Sequence, residues 1–383
     1  MKNDIQILHY QSYSTGFMHE WQKYHFVDEL RHYGFNITSV SAKFNNEVLD
    51  EEKTLDSIKN GIRNSKCSNI LFFCTTGDRY ITKNILEELK SMGMPLIRLA
   101  CDDLSVPFMS KKTAKFYDIY WTTVQDNISI LESYGANVVC MPFAANPFIF
   151  KPTKVQHDNS VGFIGTPYGA RMRYLNALDK SGIKVVQYGG KSCEKKSNSI
   201  KKNNTKNNFS GFLGTLKYTM ESVKFSSGRA IIISAILKRM QNIEKNSSIS
   251  PNIIKKPGPT FREFSNTISS MGLSIGSTEL SNTFLLEKPL HNIRLREFEV
   301  TMSGGVHIAP RSNLLREYFN EDKEMLMFSS EEELVDKSRY YLDNKHVSLR
   351  SKLSESARIR SLKSHTWKNR FDVLFDKLSL SRN

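Results

Sequence analysis

The sequence has no apolar run long enough to cross a bilayer, which takes roughly 18–20 residues. Its first residues, MKNDIQILHYQSYS, lack an apolar core and a small-residue cleavage site. That predicts no secretory leader and a cytoplasmic location. Cysteine is sparse: Cys67, Cys74, Cys101, Cys140 and Cys193 form no CxxC pair and no metal-ligand spacing. A disulfide scaffold and a zinc module are thereby excluded, and the cysteines read as reduced core residues. Acidic residues are nearly missing from one region. Between Lys191 and Lys256 there are 14 Lys and Arg against three Glu (Glu194, Glu221, Glu244), so much of the formal net charge of +15 resides there. Such a segment predicts a surface facing something anionic, a membrane leaflet or a nucleic acid. The plainer alternative is a solvated Lys/Asn-rich insertion.

The rest has ordinary globular composition, 39% hydrophobic and 11% aromatic over 383 residues, enough for about two domains. IQILHY, NITSVSA, NILFFCTT, PLIRLACDD, DIYWTTV and NVVCMPFA predict six strands. Amphipathic stretches lie between them, such as Met18–His32 and ITKNILEELKSMG with Gly93 as a C-cap. Asp126 is placed to N-cap NISILESYG. NILFFCTT is apolar throughout, as a parallel strand covered on both faces would be. ANPFIFKP is a linker, after which SVGFIGTP, a helix and IKVVQYGG restart the pattern. Beyond the basic segment come LSIGST, the helix IRLREFEVTMSGG, the strand VHIAP, and EMLMFSS. Ser330 and Glu333 then form a capping box. The expected fold is α/β, two doubly wound Rossmann-like domains facing each other across a cleft. Expected boundaries are 1–148 and 149–365, with a basic insertion at about 191–258 and a C-terminal helix, 366–383, crossing back to the first domain. The stripe Trp367, Phe371 and Phe375 on that helix reads as packing.

Ligands of open α/β sheets bind beyond the carboxyl ends of the strands. Four segments should lie there: residues 11–20, residues 101–108, residues 165–173 and the REFEVTMSGG helix. In the third, Gly165 lets backbone approach a ligand, Thr166 offers a hydroxyl, and Arg171 and Arg173 can meet phosphate beside a helix N-terminus. In the fourth, Arg296 and Glu299 are three apart and share a helix face. The arginine can fork to a diphosphate and the carboxylate can accept from a ribose diol. An exposed ion-paired helix is the alternative.

RLREFEVTMSGGVHIAP, NLLREYFNEDKEMLMFSSEEELVDKSRYYLDN and SHTWKNRFDVLF together resemble the C-terminal signature of CgeB-like glycosyltransferases of the spore-maturation-protein type, which have the GT-B fold. Earlier segments run in the same order, among them HEWQKYHFVDELRHYGFNI, CDD and VGFIGTPYGARMRYLNAL. The resemblance covers nearly all of the chain outside the basic segment. It implies transfer of a sugar from a nucleotide-sugar donor to a cell-surface polysaccharide, glycolipid or protein acceptor, with no cofactor and no metal. The donor would sit on the C-terminal domain and the acceptor on the N-terminal one. Glu299 falls where related enzymes bind the ribose, and Gly304 and Gly305 would keep backbone near the nucleotide. Gly165, Thr166 and Arg171 match the diphosphate loop. Many retaining relatives carry an earlier glutamate eight residues before the ribose-binding one; here that position is His291, so the stereochemical course is open. An inverting enzyme needs a base, for which Asp102, Asp103, Glu20 and His9 are candidates, the aspartates first. On this view residues 191–258 would hold the enzyme at the inner face of an anionic membrane. Two other functions fit less of the sequence: a non-catalytic coat or envelope-assembly protein, and a nucleic-acid binder. The second is disfavoured by the few aromatics in the basic segment.

Overall fold

The computed structural model describes residues 5–101, 104–154, 158–190, 218–241, 248–280 and 282–380. The chain divides into two compact units, Met1–Phe148 with His365–Asn383, and Ile149–Ser364.

The first unit is built on a six-stranded parallel sheet of order β2-β1-β5-β6-β7-β8. Its strands are β1 (Ile5–Gln11), β2 (Asn36–Ser41), β5 (Asn69–Cys74), β6 (Leu96–Ala100), β7 (Ile119–Thr122) and β8 (Val138–Cys140), with a small antiparallel hairpin of β3 (Phe44–Asn45) and β4 (Val48–Leu49) that the periodicity does not foresee. β1 is buried along its whole length, as expected of a central strand covered on both faces. The helical stretch predicted over 18–32 runs from Phe17 to His32 as α1 (Phe17–Gln22), a π-helical turn (Lys23–Val27) and α2 (Asp28–His32). Asp50 caps α3 (Glu51–Arg63) by accepting from the Lys53 N–H at 3.0 Å, and Thr82 caps α4 (Lys83–Ser91). Asp126 does not cap α5 (Ile128–Ser133). It lies in a preceding 3-10 turn, and Asn127 takes the N-cap position without a side-chain capping bond.

The C-terminal helix, Trp367–Lys377, belongs to this unit. Thr366 and Asn369 form a reciprocal capping box at its start. Trp367 and Phe371 are fully buried. The Trp367 ring lies 5.3 Å from Phe26 and 6.1 Å from Trp21, edge-on to both, and Phe371 lies 5.0 Å from Phe73. The spacing-four stripe is packing.

The second unit has another six-stranded parallel sheet, of order β11-β10-β9-β12-β13-β14. Its strands are β9 (Asp158–Ile164), β10 (Val185–Tyr188), β11 (Ile254–Lys256), β12 (Met271–Ile275), β13 (His307–Pro310) and β14 (Leu326–Phe328). This is the doubly wound order in which the winding reverses between the first strand and the fourth, here β9 and β12. β11 lies inside the stretch expected to be an insertion. It pairs with β10 through Val186–Ile254 and Tyr188–Lys256, so 191–258 ends as an edge strand of the sheet. Three exposed residues in an edge strand carry none of the periodicity that marks a central one. Helices α6 (Ala170–Lys180), α7 (Ser226–Met240), α8 (Phe264–Ser269), α9 (Leu295–Met302), α10 (Asn313–Arg316), α11 (Glu331–Leu342) and α12 (Val347–Ser364) complete the unit. Only half of the predicted Ser330–Glu333 box forms. Ser330 accepts from the Glu333 N–H, while the Glu333 carboxylate is drawn to the Ser329 N–H and Arg311.

Candidate functional site

In the second unit the carboxyl ends of β9 and β12 flank the switch point. β9 leads into a turn at Gly165, whose φ of +142° suits glycine and whose N–H donates to Tyr188 O at 2.9 Å. The turn ends at Gly169, which starts α6 without a side-chain cap, so the first N–H groups of that helix keep their positive character. Arg171, in the first turn of α6, donates to Thr166 O at 3.1 Å and lies 4.3 Å from the Tyr168 ring. β12 leads through Gly276, Ser277, Thr278 and Glu279 to Arg294, the N-cap of α9. The Arg294 N–H donates to Glu297 Oε2 at 2.9 Å, and its Nε donates to Ser277 O at 3.2 Å.

These two loops meet electrostatically. Burial lowers the pKa of the Arg171 guanidinium, and the positive charges of Arg294 and Arg296 lower it further, against Tyr168 and Glu297. A guanidinium stays charged at any working pH, so Arg171 lies within electrostatic reach of two further cations, with Glu297 acting on it and Glu299 paired to Arg296. Several buried polar atoms around them have no hydrogen-bond partner: Arg294 Nη2, Glu297 Oε1, Asn292 Oδ1 and both ring nitrogens of His307. His307 Nε2 stays 3.9 Å from Glu297 Oε1, too far for a hydrogen bond. Buried polar groups are almost always paired. The unpaired atoms here include donors, Arg294 Nη2 and one ring nitrogen of His307, and acceptors, Glu297 Oε1 and Asn292 Oδ1, so the place can take a hydrogen-bonding guest.

Glu299 and Arg296 form an ion pair of 2.5 Å, with the guanidinium 4.5 Å from the Phe264 ring. The carboxylate is buried, its side chain 4% exposed, and most of α9 is buried with it. The exposed, solvated helix is excluded. Gly304 and Gly305 sit elsewhere. α9 runs antiparallel to the strands, so its C-terminus lies at the amino edge of the sheet, away from Gly165 and Gly276. Gly304 ends the helix at φ +74°, donating to Thr301 O, while Gly305 donates to Val300 O. A Cβ on either would press into Pro152 or Ile268. Helix termination and packing account for both, in place of nucleotide contact. Arg173 is also taken up elsewhere, 2.6 Å from Glu331.

Sequence reasoning passed over Arg294, Glu297, Glu279 and Tyr174. Tyr174 Oη and Ser277 Oγ both donate to the Glu279 carboxylate, whose pKa burial raises. The signal for Glu297 was its place three residues after an N-cap. His291 is half-buried, its Nδ1 2.9 Å from Thr278 Oγ1, and burial holds its pKa down.

In the first unit, Asp102 and Asp103 lie outside the described residues, and Glu20 is exposed on α1. His9 is a satisfied core residue, 1% exposed. Its Nε2 lies 2.7 Å from Gln22 Oε1 and its Nδ1 3.1 Å from Ser39 Oγ. Because an amide oxygen only accepts, Nε2 carries the proton. Burial drives its pKa down to about 4, and the ring is neutral and fully occupied. The loop after β1 exposes Tyr13 and the start of α1 exposes Phe17; Tyr13 stacks on Phe44 at 5.5 Å and meets Tyr80 edge-on at 5.7 Å. Among the described residues no three His, Cys, Asp or Glu side chains converge as a metal ion would require.

The two doubly wound sheets place the protein in the GT-B fold of glycosyltransferases. The chain superposes on sucrose-phosphate synthase from Thermosynechococcus elongatus with a TM-score of 0.56 at 10% identity, over 98% of this chain and 99% of that one. It superposes on Anabaena HepE in complex with UDP-glucose with a TM-score of 0.57 at 9% identity, over 98% and 100%. A DNA-modifying β-glucosyltransferase, studied with and without uridine diphosphoglucose, gives 0.53 at 11% identity over 98% and 99%. Residues 269–376 match a family described as glycosyl transferase-like, a stretch that takes in β12, Arg294, Arg296 and Glu299. No curated protein matches the sequence.

Proposed function

We propose that this protein is a glycosyltransferase that takes a sugar from a nucleotide-sugar donor and gives it to a hydroxyl of a carbohydrate, glycolipid or protein acceptor. In this reading the Ile149–Ser364 unit holds the donor. Arg171, Arg294 and Arg296 neutralise the diphosphate, and the Gly165–Thr166 turn and the start of α6 offer N–H groups to its oxygens. Glu299 accepts from the ribose hydroxyls. As the bond from the sugar's anomeric carbon to the diphosphate oxygen breaks, the electron pair leaves with the diphosphate. The arginines then stabilise the charge that grows there without a proton transfer. The acceptor oxygen forms the new bond and loses its proton to a carboxylate base, for which Asp102, Asp103 and Glu20 are the candidates on the first unit. The exposed aromatics Tyr13 and Phe17 are suited to stacking on a sugar ring.

The observation that carries this reading is the unpaired buried Nη2 of Arg294 at the switch point of the second sheet, with Arg171 within electrostatic reach of Arg294 and Arg296. The GT-B fold and the match over 269–376 support it, and HepE's complex with UDP-glucose puts uridine donors first in line. Incubating the protein with nucleotide-sugars and a panel of acceptors, with products read by mass spectrometry, tests it. Turnover that vanishes in Glu299→Gln supports the proposal; donor binding without turnover for any donor would favour the non-catalytic assembly role.

A further inference from the structure

Helix α7, SSGRAIIISAILKRM, leaves an apolar stripe exposed. The residues it buries are Ser227, Gly228 and Ser234, whereas Ile233, Ile236 and Met240 are 50%, 53% and 73% exposed. Gly228 permits the close inward seating, since a Cβ there would lie 2.0 Å from Ser222 O. Arg229, Ile233, Ile236 and Met240 follow one another at steps of four, three and four, so they form one stripe along the helix. Just before the helix, Met220 and Val223 are also exposed. Helices on globular units turn isoleucine inward; here Ile231, Ile232 and Leu237 are only half-buried and Ile233, Ile236 and Met240 stay exposed, and such an apolar stripe marks a surface that is covered in use.

The charge around the stripe says by what. Arg229 heads the stripe and Arg239 is exposed beside it, whereas Lys238, four residues after the buried Ser234, lies on the other face; the helix belongs to a segment holding 14 Lys and Arg against three Glu. A second copy of this chain would bring two such basic segments together, which like charges oppose. A nucleic acid would satisfy the cations but gain nothing from exposed isoleucines. An anionic lipid surface takes both: the apolar side chains enter the boundary between headgroups and acyl chains while the cations meet lipid phosphates. Among the described residues no helix is long and apolar enough to cross a membrane, so this mode lies on the bilayer. We propose that α7 docks the protein on an anionic membrane surface, with Ile233, Ile236 and Met240 as the inserting residues. The inference stands on α7 alone and does not depend on the donor site.

Cosedimentation of the full chain with phosphatidylcholine vesicles, and with vesicles enriched in phosphatidylserine, tests it. The expected result is binding to the anionic vesicles only, weakened by salt. It should be lost in Ile233→Asp/Ile236→Asp, a variant altered on an exposed face and checked for native circular dichroism and an unchanged melting temperature. Arg229→Gln or Arg239→Gln should each weaken binding about fivefold. Absence of binding, equal binding to neutral vesicles, or undiminished binding by the double aspartate variant would overturn the proposal. So would a dimer in sedimentation velocity that the same variant dissolves.

Discussion

Removing Arg296 while keeping Glu299 probes the centre of the proposed donor site. The Glu299 side chain is 4% exposed and that of Arg296 28%, so Arg296→Met leaves a carboxylate buried without its counter-ion. Breaking a fully buried pair costs about 3–5 kcal/mol. Arg296 keeps over a quarter of its surface in water, and screening reduces the expectation to about 2–3 kcal/mol. Methionine retains an apolar contact with Phe264, so lost cation–π attraction adds at most about 1 kcal/mol. The double variant Arg296→Met/Glu299→Gln removes the stranded charge and should cost only about 1 kcal/mol, a coupling of roughly 2 kcal/mol in the cycle. Urea unfolding gives these differences. Trp21, Trp121 and Trp367 are the only tryptophans and all lie in the first unit, so far-UV circular dichroism must follow the second unit while tryptophan fluorescence serves as the unchanged control. Should Arg296→Met cost less than about 0.5 kcal/mol, the pair is solvent-screened like a surface ion pair. Glu299 would then not be a carboxylate held in reserve for a ribose.

Three further outcomes follow from the same geometry. Gly276→Ala places a Cβ 2.5 Å from His307 Nε2 and 3.3 Å from Glu297 Oε1; it should destabilise the second unit by about 1–3 kcal/mol and weaken donor binding, and His307→Ala should restore most of the stability but not the binding. Trp367→Ala should cost the first unit about 3–5 kcal/mol in a fluorescence-monitored unfolding curve, and a loss below about 1 kcal/mol would show that the C-terminal helix contributes little to that core. His9 and Glu29 predict opposite pH slopes. Burial lowers His9 to about 4, so its contribution is present above about pH 6.5 and is lost as pH falls towards 4, by about 3 kcal/mol in full. Burial raises Glu29 to about 8, so its contribution is present below about pH 4.5 and is lost as pH rises towards 8. His9→Gln should flatten the acid limb of the first unit's stability profile and Glu29→Gln the alkaline limb.

The strands were legible because buried parallel strands announce themselves: NILFFC has one polar residue to place, and IQILHYQ still carries Ile5, Ile7, Leu8 and Tyr10. The restart at SVGFIGTP was visible for the same reason, and with it the loop at Gly165. β11 was invisible because an edge strand of three exposed residues needs no apolar pattern. Asp126 failed as a cap because a 3-10 turn shifted the helix start by one residue, a difference that propensity does not resolve. Arg296 and Glu299 could be paired from their spacing alone. Arg294 and Glu297 could not be given a role, because what singles them out is one unpaired buried atom on each, and pairing depends on which loops the sheet brings together. Gly304 and Gly305 were misplaced because a glycine pair before a strand reads alike whether it faces a ligand or ends a helix. Only the direction of α9 separates the two.

In the proposed function Arg171, Arg294 and Arg296 bind a nucleoside diphosphate. Thermal unfolding of the wild type and of Arg294→Ala, each with and without UDP, GDP, CDP and dTDP, tests it most directly. At a ligand concentration of about one hundred times Kd the stabilisation is about 2.7 kcal/mol, which for a unit of this size raises Tm by roughly 5–10 °C. The account predicts such a rise for at least one diphosphate in the wild type and little or none in Arg294→Ala measured against its own baseline. No rise with any of the four, or an equal rise in the variant, would contradict it.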